Sequence, residues 1–336
     1  MGHKLKVVVT DYEYETLKWE REQVEAVGAG LVACQCNSEE ELIENGKDAD
    51  ALLVQYASIS RKVMENLGRC QVIVRYGVGV DNIDIESATD YGIAVVNVPD
   101  YGLNEVADHT MALLLASSRK LLQFDKSVKQ GTWNYRIAQP LYRINGKKLG
   151  LIAFGNIARL VAARAQAFGM DVQVYDPFLP EEIALQHGVR MSTFDDLIQN
   201  ADYISVHCPA NASNYHLFNR DVFAKMKKHA IFINTARGAL VEENDLAEAL
   251  EKGIIGGAGI DVCKTEPLSS DSRLLNLENI IITPHAAWYT EEAQQALQVK
   301  AGQEIARALS GEMPLHVVNP QYINHSRINL QLIRRI

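Results

Sequence analysis

At 336 residues, with 47% apolar residues, 22% charged residues and a formal net charge of -9, the chain has an ordinary globular composition. It is too long for one core, since single cores stop growing near roughly 250–300 residues. The acidic balance, with no long Lys/Arg block, excludes the footprint that nucleic acid or an anionic membrane demands, and no apolar run is long enough to span a bilayer. Two lobes and a cleft are expected, with neither nucleic acid nor membrane as a partner.

From Met1 the chain passes into the strand-like Leu5–Val9 without the apolar core of a leader, so a cytoplasmic location is the expectation. Cys34, Cys36, Cys70, Cys208 and Cys263 form neither an even framework nor a chelating spacing. Reduced thiols and no bound metal follow as expectations.

Short β-branched runs alternate with amphipathic stretches along the whole chain, the pattern of βαβ units. In the first lobe, strands are predicted at Lys6–Thr10, Leu31–Cys36, Ala51–Gln55, Val72–Arg75 and Ala94–Asn97, with helices such as Glu15–Val27 and Arg61–Asn66 between them. Pro99-Asp100-Tyr101-Gly102 breaks the series. Asn104 is then expected to cap one long helix from Glu105 to about Gln130.

A second series predicts strands at Leu149–Phe154, Val172–Tyr175, Tyr203–Val206, Ile231–Asn234, Gly257–Asp261 and Ile280–Thr283. A last helix, Glu291 to about Leu309, leads to Leu315–Val318 and is expected to return to the first lobe. Gln321–Ile336 reads equally as a docked helix or a loose tail. The class is α/β: two doubly wound parallel-sheet domains, with a discontinuous substrate domain (1–100 and 290–336) beside a dinucleotide-binding domain (101–289).

The strand ending near Phe154 runs into Ala153-Phe154-Gly155-Asn156-Ile157-Ala158 and a helix, with Asp176 closing the next strand about 20 residues on. Gly155 holds the fingerprint position where the backbone approaches a pyrophosphate, and the turn from Gly155 through Asn156 and Ile157 would supply helix N-terminal amides. Ala153 departs from the usual first glycine. Asp176 would accept the ribose hydroxyls and repel a 2′-phosphate, which favours NAD over NADP.

Three further blocks each end a predicted strand: Asn234-Thr235-Ala236-Arg237-Gly238, Gly259-Ile260-Asp261 through Glu266-Pro267, and Thr283-Pro284-His285. Residues at the carboxyl edge of a doubly wound sheet converge on the ligand crevice. Arg237 can orient and polarise a carboxylate or carbonyl through its planar fork. His285 can exchange the hydroxyl proton, and Glu266 can fix the tautomer of its ring.

With these blocks, and with Val74-Arg75-Tyr76-Gly77-Val78-Gly79-Val80-Asp81-Asn82, the chain resembles the D-isomer-specific 2-hydroxyacid dehydrogenase family from Lys6 to about Asn319. The resemblance implies that the amides of Val78 and Gly79 receive the substrate carboxylate. It also implies that Thr235 and Ala236 lie along NAD, that Asp261 contacts the nicotinamide carboxamide, and that His207-Cys208-Pro209 borders the adenine. A homodimer is implied on the same basis.

Tyr56-Ala57-Ser58-Ile59-Ser60 and Pro284–Tyr289 look like the branch that includes C-terminal-binding-protein-like members, with Tyr56 and Trp288 at the substrate pocket. Arg75 matches a basic residue of phosphoglycerate dehydrogenases. Gln55-Tyr56, however, stands where those proteins tend to carry arginine, so a phosphorylated substrate is not favoured. The chain's length gives no expectation of a regulatory domain. The expected activity is NAD-dependent interconversion of a small 2-hydroxy acid and its 2-oxo acid, through Arg237, Glu266 and His285. The alternatives are a 3-phosphoglycerate dehydrogenase and a dimeric NAD(H)-sensing interaction protein with vestigial catalysis.

Overall fold

The computed structural model describes residues 4–327. The chain divides into two compact units, Met1–Gly102 with Thr290–Ile336, and Leu103–Tyr289.

The first unit holds five parallel strands, β1 (Lys6–Val9), β2 (Gly30–Ala33), β3 (Ala51–Val54), β4 (Val72–Arg75) and β5 (Ala94–Val96), in the order β2-β1-β3-β4-β5. That is the flavodoxin-like order. β3 and β5 are buried throughout, as strands covered by helices on both faces must be. Leu52 of β3, Ile73 of β4 and Val95 of β5 pack with Ile59, Met64 and Leu67 into one core.

The helix Glu291–Leu309, capped by the Thr290 hydroxyl accepting from the Ala293 amide at 3.0 Å, packs on the helix Lys18–Ala26 of the same unit. Val317 then forms an antiparallel bridge to Val96, and the Val318 amide donates to the Val95 carbonyl at 2.8 Å. Pro320–His325 is a 3-10 turn rather than the docked helix or loose tail expected from Gln321 onward. The expectation for residues 328–336 lies outside the described residues.

The second unit holds seven parallel strands: β6 (Lys148–Ile152), β7 (Asp171–Tyr175), β8 (Arg190–Met191), β9 (Tyr203–Val206), β10 (Ile231–Asn234), β11 (Gly257–Ile260) and β12 (Ile280–Ile282). Their order, β12-β11-β10-β9-β6-β7-β8, is the Rossmann arrangement extended by one strand, and it reverses between β6 and β9. β8 went unread in the sequence because both its residues are exposed, so it carries no apolar signal.

The long helix expected from Glu105 to Gln130 is two helices, Leu103–Arg119 and Leu121–Lys129. Lys120 breaks it in left-handed backbone at φ 49°. Just before the break the Ser118 hydroxyl turns back on the Leu114 carbonyl at 2.5 Å, a contact that bends helices. The first helix buries residues such as Met111 and Leu114, whereas the second buries none. Asn104 does not cap: it lies inside the first helix, and its side-chain oxygen accepts from Arg164 at 3.1 Å.

Candidate active site

The carboxyl ends of β10, β11 and β12 each run into a short loop, and two buried polar side chains, Asn234 and Asp261, hold those after β10 and β12. At β10 the side chain of Asn234, 1% exposed, accepts from the Ala236 amide at 3.0 Å and donates to the Arg237 carbonyl at 2.9 Å. That closes the turn from which Arg237 projects. Thr235 is held from the side, its hydroxyl 2.8 Å from that of Thr110 on the helix Leu103–Arg119.

Gly238 is required by close approach. A Cβ there would meet the Cys263 carbonyl carbon at 1.9 Å, so the Arg237 turn lies directly against the loop that carries Glu266.

At β11 the carboxylate of Asp261, 1% exposed, accepts from the Thr283 hydroxyl at 2.5 Å and from the Ala286 and Ala287 amides at 2.9 Å each. With the Thr283 proton given to Asp261, His109 Nε2 donates to the Thr283 hydroxyl oxygen across 2.9 Å. This knot fixes the backbone on both sides of His285. The His285 amide donates to the Asp261 carbonyl at 2.8 Å, and the residue itself is left-handed at φ 54°. Asp261 thus has a structural task that spacing did not reveal, and a carboxamide could use only the lone pairs its three donors leave.

His285 Nδ1 lies 2.7 Å from Glu266 Oε2, while Glu266 Oε1 accepts the Cys263 amide at 2.9 Å. Partial burial pushes the Glu266 carboxyl up. The bonds from His285 and Cys263, with the charge of Arg237, outweigh that and hold it below the ordinary carboxylate value. An ionised Glu266 therefore claims Nδ1, which leaves Nε2 as the ring nitrogen that Glu266 does not engage. Burial, with Glu243 and Glu266 nearby, pushes the Cys263 thiol up to about 12, so a reactive thiolate is not part of this centre. Trp288, half-buried, stands edge-on to Tyr289 with centroids 5.7 Å apart.

On the other side of the strand-order reversal, the helix Asn156–Ala167 starts directly after Gly155, whose Cβ position is open space. An open helix N-terminus with room for backbone approach fits a dinucleotide pyrophosphate. Ala158 is buried within this helix, whereas Asn156 is exposed and Ile157 half-buried beside the turn. Asp176 joins this turn by accepting the Phe154 amide at 3.0 Å, and it also accepts the Phe178 amide at 2.9 Å.

Ala153 takes the left-handed backbone, φ 72°, that a glycine would take without strain. His207 and Cys208 are half-buried at the end of β9 and Pro209 is exposed. Burial pushes His207 down to about 4, so its imidazole is neutral and is no acid at physiological pH.

In the first unit, Arg75 ends β4, and its Nη1 occupies the space a Cβ on Gly77 would fill, at 2.0 Å. Gly77 is also left-handed, at φ 125°. The Val78 carbonyl accepts from Asn97 at 2.7 Å. Among the described residues, neither the Val78 nor the Gly79 amide donates to a protein acceptor. The loop bearing Tyr56, 50% exposed, hangs on Asp11, which accepts the Tyr56 amide at 2.5 Å and the Ala57 amide at 3.1 Å.

The supports that sequence reasoning missed are Asn234, His109, Thr110 and Gly238. The one signal available was the polar Asn234 at the end of an otherwise apolar strand.

Residues 111–287 match the family model described as D-isomer specific 2-hydroxyacid dehydrogenase, NAD binding domain. The chain is 41% identical over 326 residues to the D-3-phosphoglycerate dehydrogenase of Methanocaldococcus jannaschii, covering 96% of this chain and 61% of that one. It is 39% identical over 293 residues to the chloroplastic D-3-phosphoglycerate dehydrogenase 2 of Arabidopsis thaliana, covering 86% of this chain and 47% of the relative. The chain thus spans about half to three-fifths of the length of these curated relatives. Among solved structures, a glyoxylate reductase from Paecilomyes thermophila superposes with a TM-score of 0.85 at 29% identity, covering 95% of this chain and 99% of that one. The chain belongs to the D-isomer specific 2-hydroxyacid dehydrogenases, a family of NAD-dependent oxidoreductases.

Proposed function

We propose that the chain is an NAD-dependent D-2-hydroxyacid dehydrogenase, with His285 as the acid/base. The observation that carries this reading is the 2.7 Å bond between His285 Nδ1 and Glu266, beside Arg237, at the carboxyl edge of the Rossmann sheet. When bound, the dinucleotide supplies or accepts the hydride at nicotinamide C4. Every other task falls to the protein.

His285 Nε2 gives its proton to the carbonyl oxygen on C2 as a 2-oxo acid is reduced, and takes it back from the hydroxyl in the oxidative direction. Glu266 stabilises the imidazolium and holds the ring. Arg237 orients the carboxylate and draws charge toward the carbonyl oxygen.

The Val78 and Gly79 amides are assigned to the substrate carboxylate, with Arg75, Tyr56 and Trp288 as further substrate contacts. Gly155, Asn156, Ile157, Asp176, His207, Cys208, Pro209, Thr235, Ala236 and Asp261 are assigned to NAD. Asp176 supports NAD rather than its 2′-phosphorylated form. The substrate domain is taken as 1–100 with 290–336 and the cofactor domain as 101–289.

The names of the curated relatives favour a second reading of the substrate, 3-phosphoglycerate and its 2-oxo acid, in which Arg75 meets the phosphate. One screen of NADH oxidation with glyoxylate, hydroxypyruvate, larger 2-oxo acids and 3-phosphohydroxypyruvate decides between the two. Tight NADH binding with no turnover on any of them would overturn both and leave the sensing alternative.

The exposed apolar side chains of Leu121, Leu122 and Trp133, the last 88% exposed, support a homodimer. Light scattering of the purified chain tests that, and fractionation tests a cytoplasmic location. Among the described residues, no helix is long and apolar enough to cross a membrane.

A further inference from the structure

Tyr76, the second residue of the Arg75–Gly79 segment, turns into the core of the first unit and is 2% exposed. Its hydroxyl donates to Glu20 Oε1 at 2.8 Å. Glu20 lies on the helix Lys18–Ala26 and is fully buried. Gln298, equally buried on the helix Glu291–Leu309, brings its side-chain amide to within 3.0 and 3.1 Å of the two Glu20 oxygens and donates to the Thr16 carbonyl at 2.7 Å. Tyr14 packs edge-on to Tyr76, centroids 5.2 Å apart.

The two helices meet so closely here that a Cβ on Gly302 would lie 3.0 Å from Glu20 Cα. A carboxyl at such a place is costly to desolvate, and burial pushes it up toward its neutral form. A well-packed apolar side chain would serve stability at least as well, so the acid's distinctive contribution is direction. It pins Tyr76 inward. With Tyr76 so held, Arg75 lies across Gly77 and the Val78 and Gly79 amides follow at a set place.

We propose that Glu20 is a positioning residue for substrate recognition: through Tyr76 it holds the Arg75–Gly79 segment in the shape that receives the anionic end of the substrate, and through Gln298 it ties that segment to the helix Glu291–Leu309. This rests on the reading that the segment takes the substrate carboxylate.

The test compares the full chain with Tyr76→Phe, Glu20→Leu and Glu20→Gln, the last keeping an acceptor oxygen for Tyr76. Tyr76→Phe and Glu20→Leu are expected to raise KM for the preferred 2-oxo acid about tenfold, the equivalent of one buried hydrogen bond, more than they lower kcat. NADH affinity is expected to stay at the wild-type value. Amide hydrogen exchange is expected to quicken over residues 72–82 and not over 105–119, and Glu20→Gln to restore both readouts.

Unchanged KM together with unchanged exchange over 72–82 in Tyr76→Phe overturns the proposal, as does Glu20→Gln as impaired as Glu20→Leu. If Glu20→Leu does not fold, Tyr76→Phe, which removes a single oxygen, still decides. If the wild type reduces no 2-oxo acid, the proposed function fails by itself, and the exchange comparison still passes or rejects the positioning role.

Discussion

Ala153 and His285 stand at the carboxyl edge of the same seven-stranded sheet, both in left-handed backbone, at φ 72° and 54°. An L-residue there carries strain of roughly 1–2 kcal/mol. Around His285 that strain is over-determined: its amide is bonded to the Asp261 carbonyl, and the residues after it are bonded to the Asp261 carboxylate. Ala153 is held by its amide on the Tyr175 carbonyl at 2.8 Å and by its neighbour's bond to Asp176. Under the proposed function, the first strain aims an imidazole at the reacting carbonyl. The second aims nothing, since a methyl brings no chemistry to a turn that a glycine would make freely. Strain marks function only where the strained side chain has a task.

The largest test of this contrast is His285→Gln, which keeps a polar side chain at the strained position but removes the proton exchange. Turnover in the NADH assay is expected to fall by about two to four orders of magnitude, with NADH affinity retained. A loss below tenfold would remove His285 from the chemistry and make the two strained sites equivalent.

Asp261→Ala attacks the support instead. It leaves the Thr283 hydroxyl and two amides without their acceptor, and urea unfolding is expected to show a loss of about 3 kcal/mol. A midpoint equal to that of the wild type would mean that the loop around His285 holds itself.

Glu266→Gln keeps the shape and deletes the charge, with an expected drop in turnover of about tenfold. Because the folded-state carboxyl is held below its ordinary value of about 4.3, its contribution to stability is present above that pH and is lost as pH falls through the depressed value. The stability gap between wild type and Glu266→Gln should therefore be open at about pH 7 and close on acidification through that window. A gap that stays constant with pH would contradict the ionised pair.

The smallest effect is Ala153→Gly, expected to raise stability by up to about 1 kcal/mol, as a rise in Tm, without loss of NAD binding. A fall in NAD affinity would show that the Ala153 methyl does have a task.

Much of this is legible in the sequence. Six of the seven strands of the second unit, the turn at Gly155 and the strand-end positions of Arg237 and His285 followed from apolar runs and their punctuation, because a parallel sheet covered on both faces demands continuous apolar strands. The break at Lys120 was not legible, since Leu121, Leu122 and Val128 continue a helical pattern whose apolar face turns out to be exposed. Neither was β8, whose two residues have nothing to bury.

By itself, then, the sequence determined the α/β class, the succession of strands and which side chains stand at strand ends, all of which are local periodicity and chemistry. Tertiary packing settled the rest: that Asn234 closes the Arg237 turn, that Gly238 lets that turn press on the Glu266 loop, that Asp261 is bound up in the backbone around His285, and that Thr110 and His109 brace these loops from the helix Leu103–Arg119. These are contacts between segments far apart in the chain. Their partners are chosen by how helices and strands dock, and no pattern within a single segment records that choice.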